Sequence, residues 1–150
     1  MIELSDILTL DRTVYSAIVH SKKKALEYIA ETFCLSIPTL NAHDIFDGLV
    51  QRERLGSTAI GHGVAIPHCR LEATTQAYGC FVLLKEGIDF DAEDHQQVDM
   101  LFSLIVPMEA HEEHLEFLAT LARLFREETF RRQLYQATSR DELYQRLIGK

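Results

Sequence analysis

The chain has 150 residues, a formal charge of −8 and 47% apolar residues. That length supports one domain, 1–150, with a real core, and the acidity disfavours nonspecific nucleic-acid binding while favouring basic partner surfaces. No apolar run approaches the ~20 residues of a membrane span, and the opening MIELSDILTLDR lacks the basic region of a signal peptide, so neither membrane insertion nor secretion is expected. Three cysteines, Cys34, Cys69 and Cys80, make no even framework and no CxxC pair. That is the usage of reduced thiols in a cytoplasmic protein.

In chain order, Ser21 opens SKKKALEYIAETF, where Leu26, Ile29, Ala30 and Phe33 share one helical face. Pro38 punctuates a loop. A second helix follows in NAHDIFDGLVQRERL, with Ile45, Phe46, Leu49 and Val50 at helical spacing, and ends near Arg54. In GSTAIGHGVAIPHCR (56–70), Gly61 and Gly63 break the chain into short extended pieces. Two strands are expected at 77–85 and 98–107, apolar enough to be covered on both faces. An acidic loop, EGIDFDAEDHQQ, lies between them. After Pro107 a helix carries Leu115, Leu118, Ala122 and Phe125 on one stripe, with Leu121 beside it. Another helix covers FRRQLYQA, and a last one starts at Ser139, where Ser139 and Glu142 form a capping box. The pattern is α/β, a sheet flanked by helices. No internal repeat or low-complexity tract interrupts it.

Seven histidines are the main polar resource. His20, His43 and His95 stand in polar surroundings. His68 follows Pro67, which fixes its own φ and pushes Ile66 to an extended conformation. A strand ending Ala-Ile-Pro holds the next side chain rigidly at the edge of a sheet. Gly61 and Gly63 let backbone amides approach a ligand closely. Either an anion sits beside a fixed imidazole there, or His68 is an exposed histidine on a turn. His111 and His114, three apart near a helix start, share a face. They read as solvated residues, as two metal ligands lacking the rest of a set, or as partners of an anion at the helix N-terminus. HEEH is not HExxH. No GxSxG, GxxxxGK[ST] or strand-borne GxGxxG is present. Cys69 is a weak nucleophile candidate, because neighbours on an extended chain point apart.

The run QRERLGSTAIGHGVAIPHCR closely resembles the active-site segment of the mannitol/fructose-type enzyme IIA domains of the bacterial phosphotransferase system. The family's elements stand here as Arg52-Glu53, Gly56-Ser57-Thr58 and Gly61 through His68. SKKKALEYIAETF, IDFDAEDHQQVDMLFSLIVP, EEHLEFLATLARLF and DELYQRL extend the likeness over the whole chain and resemble the nitrogen-regulatory branch. The resemblance implies a mixed β-sheet flanked by helices. It implies that His68 accepts a phosphoryl group from an HPr-like phosphocarrier (NPr). His114 and Arg52 then stabilise the charge, and Gly61, Gly63 and Thr58 bind phosphate. It implies regulated targets such as potassium-transport or sensor proteins, and no cofactor or metal. Two other readings remain: a sugar-specific (fructose/mannitol) enzyme IIA that passes phosphate to an enzyme IIB, and a binding module without phosphotransfer. Ala59 and Cys69 stand where glycine is common in the family. Histidine suits the task on its own chemistry. A pKa near 6.5 leaves a neutral nucleophilic nitrogen, and protonation makes the same ring a good leaving group.

Overall fold

The computed structural model describes residues 3–149. Two short 3-10 turns, Leu4–Asp6 and Leu10–Arg12, lead into strand β1 (Thr13–Ala17). The hydrophobic pattern did not mark β1, because it is a short edge strand whose Tyr15 and Ser16 face outward, Ser16 with φ +60°. Helix α1 (Lys22–Ser36) starts where the Ser21 hydroxyl accepts from the Lys24 N–H at 3.1 Å. Helix α2 (Ala42–Arg54) starts where the Asn41 side chain accepts from the Asp44 N–H at 3.1 Å. Each cap satisfies an amide that has no partner inside the helix.

The glycine-rich stretch then makes a hairpin. Strands β2 (Ala59–Gly61) and β3 (Val64–Ala65) pair antiparallel across His62-Gly63. Both turn residues have positive φ, +59° and +80°, the signs of a type I′ turn, which is why glycine stands at 63. Strand β4 (His68–Leu71) follows Pro67. Strands β3 and β4 both run parallel to β6 (Val98–Pro107) in one register, Ala65 opposite Leu101 and His68 opposite Leu104. They are one strand interrupted at Ile66-Pro67. His68 therefore opens a strand rather than following the end of one.

Strand β5 (Tyr78–Ile88), which ends three residues beyond the expected run 77–85, pairs antiparallel with β6. The mixed sheet has the order β1-β5-β6-β3-β2, with β4 on β6. Helices α1 and α2 cover one face, where Ile29, Phe33, Ile45 and Leu49 meet Ala65, Cys69 and Leu101. Helices α3 (His111–Arg126), α4 (Glu128–Tyr135) and α5 (Arg140–Leu147) cover the other. There Phe81 and Phe125 stack at 5.9 Å between ring centroids, with Phe102 beside them. The expected α/β class, with a mixed sheet flanked by helices, is the observed one.

Two local expectations change. The buried stripe of α3 is His114, Phe117, Leu121 and Phe125, and Leu115 is 67% exposed. Two apolar stripes compete on this helix, and the inner one contains a histidine, which hydrophobic patterning discards. At the start of α5 only half of the capping box forms. Ser139 accepts from the Glu142 N–H at 3.1 Å. The Glu142 carboxylate instead accepts from the Thr138 hydroxyl at 3.1 Å and pairs with Arg146 at 2.7 Å.

Gly79 tests how tightly the sheet packs. A Cβ there would sit 2.8 Å from the ring of the fully buried Phe102. Gly79→Ala is expected to lower stability by about 1–3 kcal/mol through overpacking, read as a lower denaturant midpoint with an unchanged slope.

Candidate active site

Along β3 and β4 side chains alternate between faces. Val64 and Ile66 enter the core under α3, whereas Ala65 and Cys69 enter the core under α1 and α2. His68 falls on the α3 face, and its ring meets the His114 ring edge-on with centroids 5.2 Å apart. Strand β4 pairs with β6 alone among the described residues. Its open edge lets Arg52, in the last turn of α2, reach the same ring.

Both nitrogens of His68 are engaged. Nδ1 lies 2.7 Å from the Ile66 carbonyl oxygen. A carbonyl can only accept, so Nδ1 carries the proton. Nε2 then holds the lone pair and accepts from Arg52 Nε at 3.2 Å. Arg52 Nη1 also donates to the Gly56 carbonyl at 3.0 Å, which steadies the guanidinium. Burial lowers the His68 pKa below the ordinary imidazole value. The Ile66 carbonyl opposes that shift, and the charges of Arg52 and Arg70 add to it. The ring is a neutral base at neutral pH.

His114 is 6% exposed, and its Nδ1 has no hydrogen-bond partner among the described residues. Burial pushes its pKa down to about 4, assisted by His68, Arg70 and Arg52. It is therefore uncharged at neutral pH and can act as a hydrogen-bond donor rather than a cation. His111 stands exposed on the first turn of α3, so the pair does not present a shared open face. Among the described residues no three His, Cys, Asp or Glu side chains gather where a metal ion could be held. Cys69 turns away from His68 into the core, and burial pushes its thiol up to about 12.

The structure brings His68, His114 and Arg52 together but not the glycines. The Gly63 carbonyl accepts from the Asp99 and Met100 amides, the nearer of them four residues along β6 from Leu104, the register partner of His68. At about 3.3 Å per residue that is roughly 13 Å. The spaces beside Gly61 and Gly63 face the carboxylates of Asp94 and Asp99, at 3.5 and 3.4 Å from the Cβ positions. These glycines answer the needs of a hairpin turn, and their surroundings are unfavourable to an anion. Thr58 lies nearer, since its carbonyl accepts from the Ile66 N–H at 3.0 Å. However, it is buried and its hydroxyl donates to the Glu53 carboxylate.

Arg70 is a residue the sequence reading did not single out. It is exposed on β4, two positions beyond His68 and so on the same face, and its charge lowers the pKa of both imidazoles. Reading His68 as the residue after a strand, rather than the first of one, hid this i, i+2 relation.

A neutral imidazole whose one lone pair is held only by an arginine N–H, at an open sheet edge between two arginines and a buried histidine, has the chemistry of a nucleophile suited to an anionic electrophile. Residues 6–150 match the model of the phosphoenolpyruvate-dependent sugar phosphotransferase system EIIA 2 family, and the chain belongs to that family. It is 42% identical over 148 residues to the nitrogen regulatory protein of Pseudomonas aeruginosa, covering 99% of this chain and 96% of that one. The crystal structure of nitrogen regulatory protein IIA-Ntr from Neisseria meningitidis superposes with a TM-score of 0.89 at 39% identity, over 96% of this chain and 98% of that one. IIA mannitol from Escherichia coli shares the fold, with a TM-score of 0.76 at 19% identity over 93% and 97% of the two chains. The resemblance to the nitrogen-regulatory branch thus holds over the full chain and not only in the Pro-His segment. Among the described residues no helix is long and apolar enough to cross a membrane.

The suppressed pKa of His114 has a consequence for acid stability. Its folded value, about 4, lies below the ordinary 6.5. Neutral His114 therefore contributes stability that is fully present above pH 6.5. As pH falls from 6.5 to 4 the unfolded chain binds the proton first and that stability is lost, roughly 3 kcal/mol in all, with no further loss below pH 4. His114→Gln, which cannot titrate, is expected to flatten the fall in unfolding free energy over this window. Equal slopes in urea melts of the two proteins between pH 7 and 4 would contradict the assignment.

Proposed function

We propose that this chain is a cytoplasmic phosphohistidine carrier that accepts a phosphoryl group on Nε2 of His68 from an HPr-like phosphocarrier of the nitrogen branch. Its phosphorylation state then regulates target proteins, of which potassium-transport and sensor proteins are candidates. The observation that carries the reading is the 2.7 Å contact of Nδ1 with the Ile66 carbonyl, which leaves Nε2 as the nucleophilic nitrogen.

The transfer balances without a further reactant. The Nε2 lone pair attacks phosphorus, the P–N bond to the donor imidazole breaks, and its electron pair returns to the donor ring. The His68 ring gains positive character while Nδ1 keeps its proton. The bond to the Ile66 carbonyl then becomes charge-assisted and strengthens as the new bond forms. Arg52 Nε must leave Nε2 for the attack, and swings to the oxygens of the arriving phosphoryl group. His114 donates a hydrogen bond to the same group without competing for it. Phosphoryl transfer asks little of the protein beyond positioning and charge stabilisation, and the local excess of Arg52 and Arg70 on a chain of charge −8 supplies the second.

Incubation with a phosphorylated nitrogen-branch carrier, followed by mass analysis, is expected to show the gain of one phosphoryl group, acid-labile and base-stable. His68→Ala abolishes the gain, and normal phosphorylation of that variant would sink the proposal. His114→Ala still accepts on His68 but transfers onward about 10²-fold more slowly, the usual cost of losing one preorganised donor. His114→Gln, which keeps a donor, retains more activity than alanine. Onward transfer to an enzyme IIB cysteine at a comparable rate would make the chain a sugar-specific enzyme IIA.

A further inference from the structure

Glu53 is a buried charge with partners on both carboxylate oxygens, and the phosphoryl-transfer chemistry does not use it. Its side chain is 5% exposed and pairs with Lys22 Nζ at 3.1 Å. One carboxylate oxygen accepts from the Thr58 N–H at 3.1 Å, and the other accepts from the Thr58 hydroxyl. A buried carboxylate with such a set of donors is held in one geometry, because each lost donor would leave charge unsatisfied.

Two connections run from this group to the phosphoryl acceptor. Thr58, gripped at its N–H and its hydroxyl, offers its carbonyl to the Ile66 N–H at 3.0 Å. Ile66 in turn offers its carbonyl to His68 Nδ1. The second connection is the covalent neighbour. Glu53 ties down the last turn of α2, and Arg52, one residue earlier in that turn, donates to His68 Nε2. One carboxylate thus acts on both faces of the imidazole, the proton-bearing nitrogen and the lone pair.

We infer that Glu53, held by Lys22, is a positioning residue that fixes the His68 ring with its proton on Nδ1 and its Nε2 presented for phosphoryl transfer. The inference rests on the proposed function for its role in transfer, but its effect on the ring exists before any phosphoryl group arrives. It also assigns the Thr58 hydroxyl to the unphosphorylated protein's own framework rather than to phosphate.

The test uses the full chain. Nitrogen-15 spectra of the imidazoles in the unphosphorylated protein read the His68 tautomer directly. The wild type is expected to show the Nδ1–H form. Glu53→Gln, which keeps one acceptor oxygen and loses the charge, is expected to move the His68 signals toward a mixture of tautomers. Phosphorylation at saturating donor should slow by about 10²-fold, the scale of a small misplacement of a reacting group, with half-saturation by the donor unchanged within about twofold. Thr58→Val removes only the hydroxyl and should shift the His68 signals in the same direction, and Thr58→Ser should recover most of the lost rate. Thr58→Val decides the matter should Glu53→Gln not fold. Wild-type tautomer signals and rate in these variants, even with a lowered melting temperature, would overturn the inference. If the wild type takes no phosphoryl group on His68, the proposed function fails, and the spectra of the unphosphorylated variants still decide the role of Glu53.

Discussion

The site depends on a strand edge left open beyond Ile66, on the side opposite β6, where Pro67, which has no N–H to give to the ladder, interrupts the strand. At Pro67 the strand facing β6 is interrupted but not displaced, because the Pro67 carbonyl still accepts from the Leu104 amide at 3.0 Å. The register carries through from Ala65 to His68. The N–H of Ile66 points the other way, toward the β2 side, and is taken by Thr58. Beyond that point no partner strand continues among the described residues, so the Ile66 carbonyl lies outside the ladder and accepts the imidazole N–H instead. An interrupted edge strand thus turns a backbone carbonyl into the group that sets the tautomer of the residue two positions later.

The electrostatics follow from the same edge. A half-buried imidazole, His68, and a buried one, His114, are flanked by Arg52 and Arg70, and burial and charge together keep both neutral. A site with uncharged rings and nearby cations is incomplete in charge until an anion arrives. Much of the chain's acidity lies elsewhere, as in Asp89, Asp91, Glu93 and Asp94 after β5, where Asp91 pairs with Lys22. The positive potential is therefore local, which suits recognition of one phosphoryl group rather than of a polyanion.

Buried polar groups were the features hardest to read in advance. His114 interrupts the apolar stripe of α3, and a pattern built on hydrophobicity moves that stripe to Leu115 and Leu118, although the inner face is His114, Phe117 and Leu121. Glu53 reads in the chain as half of an Arg-Glu motif; only its three contacts show why a carboxylate stands there. Conversely, Gly61 and Gly63 read as a cradle for an anion and prove to shape a hairpin turn beside Asp94 and Asp99. A glycine records that a backbone conformation or a close approach is needed, but not what approaches.

By itself the sequence determined the elements whose cause is local: α1 and α2 from their caps and periodicity, the two central strands from unbroken apolar runs, and a rigid histidine from Pro67-His68. It also carried the family likeness. The tertiary structure alone decided which face His68 uses and that Arg70 flanks it, and it supplied the contacts of Arg52 and His114 with the ring, which the chain had named only through the family likeness. It likewise decided that the glycines lie away from it. The physical reason is that strand order and parallel pairing bring together residues far apart in the chain, such as 52, 68 and 114. Nothing in their local sequences encodes that distance, whereas caps, turns and periodicity act within a few residues.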